Sequence, residues 1–418
     1  MFKRLLRLCL LLLLIIIILY ATEASAQESW ILPYADVSYQ YDDNIFLQRD
    51  NEEEDWITVF SPGILIEPKT DQHKFRLNYR ADLKFFQDHS DETNYNHTLM
   101  GEAEFNFNKA RLHFIDMFRS LKDRDRIGAE EIAEASSIEG ENFAVERYQI
   151  GSDDISRVQR TQNYFNTIGT LMFDKMDLSA RFKYGIERYH TTAAIGSYKG
   201  IALTYKDLDR DIYEGEIESS WKLWPKYSWL VSGVYGQVVH DTGKKPDSEY
   251  YEVLTGLRGR PTSKALVEAK IGYRGQNYDS PGEDFDSIVF KGVVLWDVTA
   301  KDTIQLDFLR TTNATVYKDN AYYTSSYLVV GHNHEFTDRI RSILDFSYQN
   351  DKYSDETTEG TKTATRDDDF FSFGAGINYD LVKYFTLGLH YENRFRNSNF
   401  SSLDYDDNRY TVKLSGSF

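Results

Sequence analysis

The sequence predicts an all-β fold: a closed antiparallel transmembrane β-barrel of about 18 strands, with short periplasmic turns and long acidic extracellular loops. Three observations predict it. Segments of ten or more residues alternate between polar and apolar side chains, the connectors between them alternate between short and long, and the chain begins with an export signal. A sheet that spans a bilayer has to close, because open strand edges would leave unpaired backbone groups in hydrocarbon.

The N-terminal segment has the three parts of a secretory signal peptide. Three basic residues precede an apolar run over residues 8–20, and small residues at 24–26 form a cleavage signature. The apolar run is shorter than the roughly 20 residues that a spanning helix needs. We therefore expect residues 1–26 to be removed, together with the single cysteine of the chain, and residues 27–418 to form one barrel domain in the cell outer membrane.

The strands are predicted from side chains that alternate with a period of two. In residues 73–87 one face is apolar and the other carries a series of basic side chains. The same alternation recurs over 213–223, 265–276 and 385–396. Each run is long for a soluble strand and suits a tilted span of a bilayer. Pro62 interrupts one predicted strand, so we expect a β-bulge at Pro62 and Gly63.

The connectors indicate which ends of the strands lie together. Short connectors are expected at residues 109–110, 175–177, 224–226, 261–263, 300–302, 337–339 and about 380–383. Long polar connectors are expected at 47–55, 122–162, 191–209, 279–286 and 351–366. This regular alternation is typical of outer-membrane barrels, whose short turns are periplasmic. The segment 130–146, rich in Ala and Glu, is either a short helix folded into the lumen or a solvated external loop.

The last predicted strand resembles the C-terminal signature that the barrel-assembly machinery recognises. The residues that share one face of this strand are Tyr410, Val412, Leu414, Gly416 and Phe418. Around the barrel we expect outer-membrane lipid and lipopolysaccharide, with an aromatic girdle near Trp221, Trp224, Tyr227 and Trp229.

A barrel of about 18 strands leaves a water-filled lumen, which favours transport. The candidate lumen-lining residues carry both signs of charge: Lys74, Arg76, Arg80, Lys84, Glu102, Glu104, Glu214, Glu216 and Glu218. Either the two sets face each other and create a transverse field, or they are the ordinary charge of a wet barrel interior. His332 and His334 share a strand face, which we interpret as lumen lining without a metal.

Two short motifs carry a family resemblance. They are Tyr41, Asp42, Asp43 and Asn44 at the end of the first strand, and Tyr405, Asp406, Asp407 and Asn408 in the closing stretch of the chain. With the acidic stretch that follows the first motif, this pattern resembles the putative β-barrel porin 2 family, whose outer-membrane barrels are often associated with exopolysaccharide production. The resemblance implies a role in polysaccharide export and no catalytic residues.

In physical terms, the two motifs should lie near the extracellular rim of adjacent first and last strands. Their carboxylates would either bind a divalent cation or form turns through Asx chemistry.

The composition and the motifs argue against several other classes of protein. A net charge of −18 repels phosphate backbones, so no nucleic-acid partner is expected. The chain lacks the sequence motifs of serine hydrolases, zinc proteases and phosphate-binding loops, and no cofactor is expected. Asp88 with His89 and His240 with Asp241 are the remaining acid–histidine pairs, and we interpret them as chance neighbours in a chain that is not an enzyme.

The sequence leaves three functions open. The first is a channel for exopolysaccharide or capsular polysaccharide, with the polysaccharide and periplasmic export components as partners. The second is a general or substrate-selective diffusion porin. The third is a surface scaffold or adhesin that acts through its acidic loops.

Overall fold

The computed structural model describes residues 30–68, 72–122, 157–279, 284–315 and 320–417. The predicted signal peptide, the segment 130–146 and Phe418 lie outside the described residues. No helix in the described part of the chain is long and apolar enough to cross a membrane.

The described residues contain 20 strands, of which 18 form one sheet and two form a separate hairpin. The strands are β1 (Ile31–Asp42), β2 (Asp55–Ile66), β3 (His73–Phe86), β4 (Asn94–Asn106), β5 (Ala110–Leu121), β6 (Arg160–Met172), β7 (Met176–Tyr189), β8 (Ala194–Tyr198), β9 (Ile201–Thr204), β10 (Arg210–Trp224), β11 (Tyr227–His240), β12 (Ser248–Thr262), β13 (Ala265–Tyr278), β14 (Phe285–Asp297), β15 (Asp302–Ala314), β16 (Tyr322–Thr337), β17 (Ile340–Glu359), β18 (Lys362–Val382), β19 (Phe385–Ser398) and β20 (Tyr405–Ser417).

The 18-stranded sheet closes on itself. Each strand pairs antiparallel with the next one along the chain, β7 pairs with β10, and β1 pairs with both β2 and β20. The β8–β9 hairpin lies in the connection between β7 and β10. The closed antiparallel barrel that the sequence predicts is therefore confirmed.

The two ends of the barrel differ in their connectors. Seven connections of two to four residues lie at the end where β1 begins and β20 ends, which we call the short-turn end. The opposite end, called the long-loop end, carries the longer connections, including residues 43–54, 87–93 and 190–209.

The predicted loop over 351–366 is wrong, because this segment continues β17 and β18. The two strands meet in a two-residue turn at Gly360 and Thr361, where Gly360 has a φ of 61°, and their register shifts once between Lys352 and Glu356. The segment is polar enough to read as a loop, but its repeated threonines are β-branched and fit a strand. A glycine with positive φ suits the tight hairpin turn.

The predicted β-bulge at Pro62 is also wrong. Pro62 pairs with Ala35 in an unbroken register between β1 and β2, and the register between β2 and β3 is the same on both sides of it. Its missing N–H interrupts only the ladder toward β3. Gly63 makes room for the neighbouring Tyr34 ring, since a Cβ there would lie 2.2 Å from a ring carbon.

Candidate functional site: the lumen and its mouth

The two faces of the barrel wall differ in chemistry. On the outer face, large apolar side chains such as Ile217, Val253 and Ile271 are more than half exposed, at 63%, 61% and 55%. On the inner face, side chains from strands that are not neighbours meet, as where the Tyr250 hydroxyl donates to the Glu214 carboxylate at 2.5 Å. Such contacts across an intervening strand need the concave side of a curved sheet, so the polar face is the lumen.

Aromatic side chains are concentrated at both ends of the outer face. At the short-turn end, Trp221 stacks on Trp229 with ring centroids 5.1 Å apart, and Trp224 meets Tyr227 edge to face at 6.2 Å. At the long-loop end, the rings of Tyr39 and Trp56 stack at 4.7 Å. Two aromatic bands around an apolar outer face match the interfacial girdles of membrane barrels.

The basic residues of β3 face carboxylates on the next strand. Lys74 lies opposite Glu104 and Arg76 opposite Glu102 in the β3–β4 register. Farther along β3, Arg80 donates to Asp36 at 3.0 Å and to Asp82 at 2.8 Å, and Lys84 lies opposite Asn94.

The carboxylates of β10 have basic neighbours in the same way. Lys183 of β7 lies opposite Glu214, and Arg181 pairs with Glu216 at 3.1 Å. Glu218 binds Arg258 at 3.2 Å and also contacts Lys270. The opposite charges thus lie beside each other along the wall and not across the lumen, so the interpretation as a transverse field loses its basis.

A hairpin crosses the mouth at the long-loop end. The β8–β9 hairpin follows β7, yet the Lys199 ammonium beyond β8 binds the Asp355 carboxylate of β17 at 3.0 Å. Around the 18-strand ring β7 and β17 are eight positions apart, almost diametrically opposed. Tyr198 is fully buried, and the Lys245 ammonium lies 4.3 Å from its ring centroid.

A buried carboxylate holds the base of this hairpin. Asp207, in the one-turn 3-10 helix Tyr205–Leu208, accepts hydrogen bonds from the Thr204 backbone N–H at 2.8 Å and from the Lys244 ammonium at 3.0 Å. Burial opposes ionisation, but these hydrogen bonds outweigh it and lower the pKa of Asp207 to about 2.

Beneath the hairpin the inner face of the wall forms a partly open cavity. The space open to the centre of a water-sized sphere is about 120 Å³, bounded by β7, by strands β10 to β15 and by the connections between them. Six cationic side chains and two carboxylates belong to its lining: Lys183, Arg210, Lys245, Arg274, Lys291, Arg310, Glu214 and Glu252. Of these only Glu214 was a candidate from the sequence. The period-two pattern of β13 marks Arg274 as facing inward, but nothing in the sequence shows which strands share a cavity.

The two tyrosine–aspartate–aspartate–asparagine motifs lie side by side where the first and last strands meet. Asp42 of β1 is opposite Arg409 of β20 and binds it at 2.9 Å. Asp407, fully buried, binds Arg409 at 3.2 Å and Arg394 of β19 at 2.9 Å. These four side chains form a charged cluster on the inner face of the seam.

The asparagines and Asp43 connect the two motifs through hydrogen bonds. The Asn44 amide donates to the backbone carbonyls of Gln48 at 2.6 Å and Asp406 at 2.8 Å. The Asn44 backbone N–H donates to Asp42 at 3.1 Å, which is an Asx turn. The alternative of a cation site finds no separate ligand set here, because these carboxylates bind arginine or asparagine.

The tyrosines of the motifs point to opposite sides of the wall. Tyr41, on the outer face, donates to Glu54. Tyr405, on the inner face, lies under the Arg396 guanidinium at 5.0 Å. Asp406 is on the outer face and accepts from the Asn393 amide at 2.7 Å.

The predicted lumen position of His332 and His334 is wrong. Both lie on the outer face near the short-turn end, since His332 is opposite Leu344, which is 43% exposed. Their shared neighbour is Asp302, at 3.2 Å from His332 and 2.6 Å from His334. Within the described ranges, no group of three or more potential ligands is arranged to hold a metal ion.

The two acid–histidine pairs lie apart: Asp88 and His89 are in the connection after β3, and His240 ends β11 with Asp241 directly after it. His89 binds Asp55 at 2.9 Å and Glu53 at 2.8 Å; burial opposes its protonation, but these hydrogen bonds raise its pKa. The His240 backbone N–H donates to Asp247 at 2.7 Å. The two histidines share no described partner.

The apolar residues of the predicted assembly signal lie on the outer face of β20. Tyr410 and Val412 are 53% and 49% exposed, and Leu414 lies opposite Leu387 of β19.

A family model described as putative beta-barrel porin 2 matches residues 29–418. No curated protein has a sequence that matches this chain. Among solved structures, OccAB3 of Acinetobacter baumannii is similar at 11% identity and a TM-score of 0.45, covering 93% of this chain and 99% of that one. OpdK of Pseudomonas aeruginosa, solved with vanillate, gives 10% identity, a TM-score of 0.45 and coverages of 93% and 99%. OccK2 (OpdF) of Pseudomonas aeruginosa, solved with glucuronate, gives 10% identity, a TM-score of 0.45 and coverages of 94% of this chain and 98% of that one.

Proposed function

Because the chain belongs to the putative beta-barrel porin 2 family, we propose that this porin-like outer-membrane barrel is a substrate-selective diffusion channel for small hydrophilic solutes. One observation carries the proposal: the inner face is charged and polar, while the outer face is apolar. A wall of this kind holds water inside a bilayer and lets polar solutes enter without crossing hydrocarbon.

The mouth favours small solutes over a polymer. The hairpin that crosses it is tied to β17 by Lys199 and Asp355, so it narrows the opening. Export of a polysaccharide, which the family resemblance implies, has no support in the geometry of the described residues. The scaffold role through acidic loops has none either.

The proposal extends to the surroundings of the barrel. Outer-membrane lipid and lipopolysaccharide cover the apolar outer face, and the apolar residues of β20 engage the barrel-assembly machinery. We include no catalytic step, cofactor or nucleic-acid partner.

Single-channel recording in planar bilayers tests the proposal. We expect the purified barrel to give discrete conductance steps, with a current that depends on the charge of the permeating ion because the lumen is charged. Boiled protein is the control for detergent leaks. A folded barrel that inserts and gives no conductance contradicts a diffusion channel.

A deletion strain separates this function from polysaccharide export. Loss of surface polysaccharide with accumulation in the periplasm, restored by the wild-type gene, would replace the proposal by export. Unchanged polysaccharide in both compartments is the result that we expect.

A further inference from the structure

The cavity beneath the mouth differs in charge from the chain as a whole. The chain has a net charge of −18, yet six Lys and Arg side chains line this cavity against two carboxylates. Even with Glu187, which pairs with Arg210 at 2.9 Å from just outside the lining, positive charge stays in excess. Because a low-dielectric wall strengthens the field inside, the cavity attracts anions.

The same cavity holds buried donors that the protein leaves unused. Arg274 uses its two terminal nitrogens on Glu252, at 2.7 Å, and Gln276, at 3.0 Å, but its Nε has no hydrogen-bond partner among the described residues. The Tyr278 hydroxyl and the Asn313 amide nitrogen likewise have no hydrogen-bond partner among the described residues. Both residues line the cavity. Buried polar groups without partners are costly, so these three residues of the lining have donor capacity that a ligand in the cavity would satisfy.

Arg274 is held in a fixed position. Its guanidinium lies 4.0 Å from the ring centroid of Tyr250, in addition to the bonds to Glu252 and Gln276. A donor whose position is fixed in advance loses little entropy when a ligand binds.

Two lysines of like charge stand directly opposite each other at the edge of the cavity. Lys270 of β13 pairs in register with Lys291 of β14, an arrangement that costs stability in a sheet. Glu218 and Glu268 neutralise Lys270, while Lys291 lines the cavity and lies 4.0 Å from Glu252. A bound anion would offset the cost of this pair.

The volume sets the size of the occupant. One water needs roughly 10–15 Å³ measured in this way. A cavity of about 120 Å³ therefore has room for roughly ten water-sized groups, which is the size of one sugar acid. The neutral donors Tyr278 and Asn313 suit hydroxyl groups, and the cationic side chains suit a carboxylate.

We propose that this cavity is a binding site for a hydroxylated organic anion of the size of a single sugar acid, held by the cationic side chains that line it and by donor groups of Arg274, Tyr278 and Asn313. The inference deepens the proposed channel function, on which its biological role rests, because it names the class of solute that pauses at the mouth.

Isothermal titration calorimetry of the detergent-solubilised full chain tests the site independently of conductance. Glucuronate is the probe, its neutral parent glucose tests the need for charge, and inorganic phosphate tests the need for size and hydroxyls. We expect saturable binding of glucuronate only, weakened about tenfold by Lys291→Gln and about fivefold by Tyr278→Phe.

The matched control is Lys413→Gln, which removes a lumen lysine on β20 that binds Asp36 at 3.1 Å, away from the cavity. It should leave glucuronate binding unchanged, and unaltered gel mobility of unheated samples shows that each variant folds. Equal affinity for glucose or phosphate, no binding of glucuronate, or an equal loss in the Lys413 variant overturns the site.

A failure of the site and a failure of the channel give different results. Conductance without glucuronate binding removes the site and leaves the channel, whereas glucuronate binding without conductance removes the channel and leaves the site.

Discussion

The carboxylate of Asp43 accepts two hydrogen bonds from Asn408, one from the backbone N–H at 2.6 Å and one from the side-chain amide at 2.9 Å. These residues are 365 positions apart in the chain and join the two ends of the barrel wall. Together with the Asn44 amide on the Asp406 carbonyl, they fix the register in which β1 meets β20. The resemblance between the opening and closing motifs thus has a structural reason, since each motif supplies partners to the other.

Asn408→Ala should destabilise the seam. The change leaves part of the Asp43 carboxylate without a partner, and we expect the free energy of unfolding to fall by about 1–3 kcal/mol. Urea unfolding in detergent, followed by gel mobility, measures it. Asn163→Ala is the control, because far from the seam it removes an exposed hydrogen bond to Asp116 and a long one, at 3.5 Å, to the Met117 carbonyl. An equal loss of unfolding free energy in both variants would show that the seam hydrogen bonds stabilise the barrel no more than those of Asn163.

The buried charges beside the seam should be strongly coupled. Asp407→Ala leaves Arg394 buried without its carboxylate, and we expect a loss of about 3–5 kcal/mol. Replacing both residues, with Arg394→Met added, should recover a large part of that loss because no uncompensated charge is then left inside. The double-mutant cycle in urea measures the coupling. Strictly additive losses would argue that the two side chains act independently.

The sequence predicts the strands where inward and outward side chains differ sharply. In β3 and β10 charged residues alternate with apolar ones, so the pattern separates the two faces of each strand. In β16 the consecutive Val329 and Val330 blur the alternation, so the sequence could not show that His332 lies outside. The polar hairpin at the end of β17 and β18 was missed for a related reason: a strand that extends beyond the membrane has no apolar face to mark it.

The site is less predictable than the fold, because it depends on register. Lys183 lies beside Glu214 because β7 pairs with β10. The connection between these strands has 20 residues, and its length does not determine the register in which they pair. A slip by one residue would turn each side chain to the other face. The sequence therefore identifies charged inward faces, whereas the cavity becomes visible only once seven strands are placed together.

Reversing the charge of Lys199 should open the mouth. Lys199→Glu places two carboxylates where an ion pair ties the hairpin to β17, and like-charge repulsion should lift the hairpin. We expect a higher single-channel conductance in planar bilayers. The charge-swapped double variant, Lys199→Glu with Asp355→Lys, should return the conductance to the wild-type value. An unchanged conductance in the single variant would mean that the hairpin does not restrict the path.

Acid should release the base of the same hairpin. The pKa of Asp207 is lowered to about 2 in the folded barrel, so its contribution to stability is fully present above its unfolded value of about 4 and is lost as the pH falls toward 2. We expect pepsin to cut within residues 194–204 of the wild type increasingly between about pH 4 and pH 2. Asp207→Asn has no ionised carboxylate to bind Thr204 and Lys244. Pepsin should therefore cut the hairpin of this variant already at about pH 4. The barrel strands serve as the internal control, because their backbone is paired on both sides and should stay intact. If pepsin cleavage has the same pH dependence in the variant and in the wild type, a group other than Asp207 controls the hairpin.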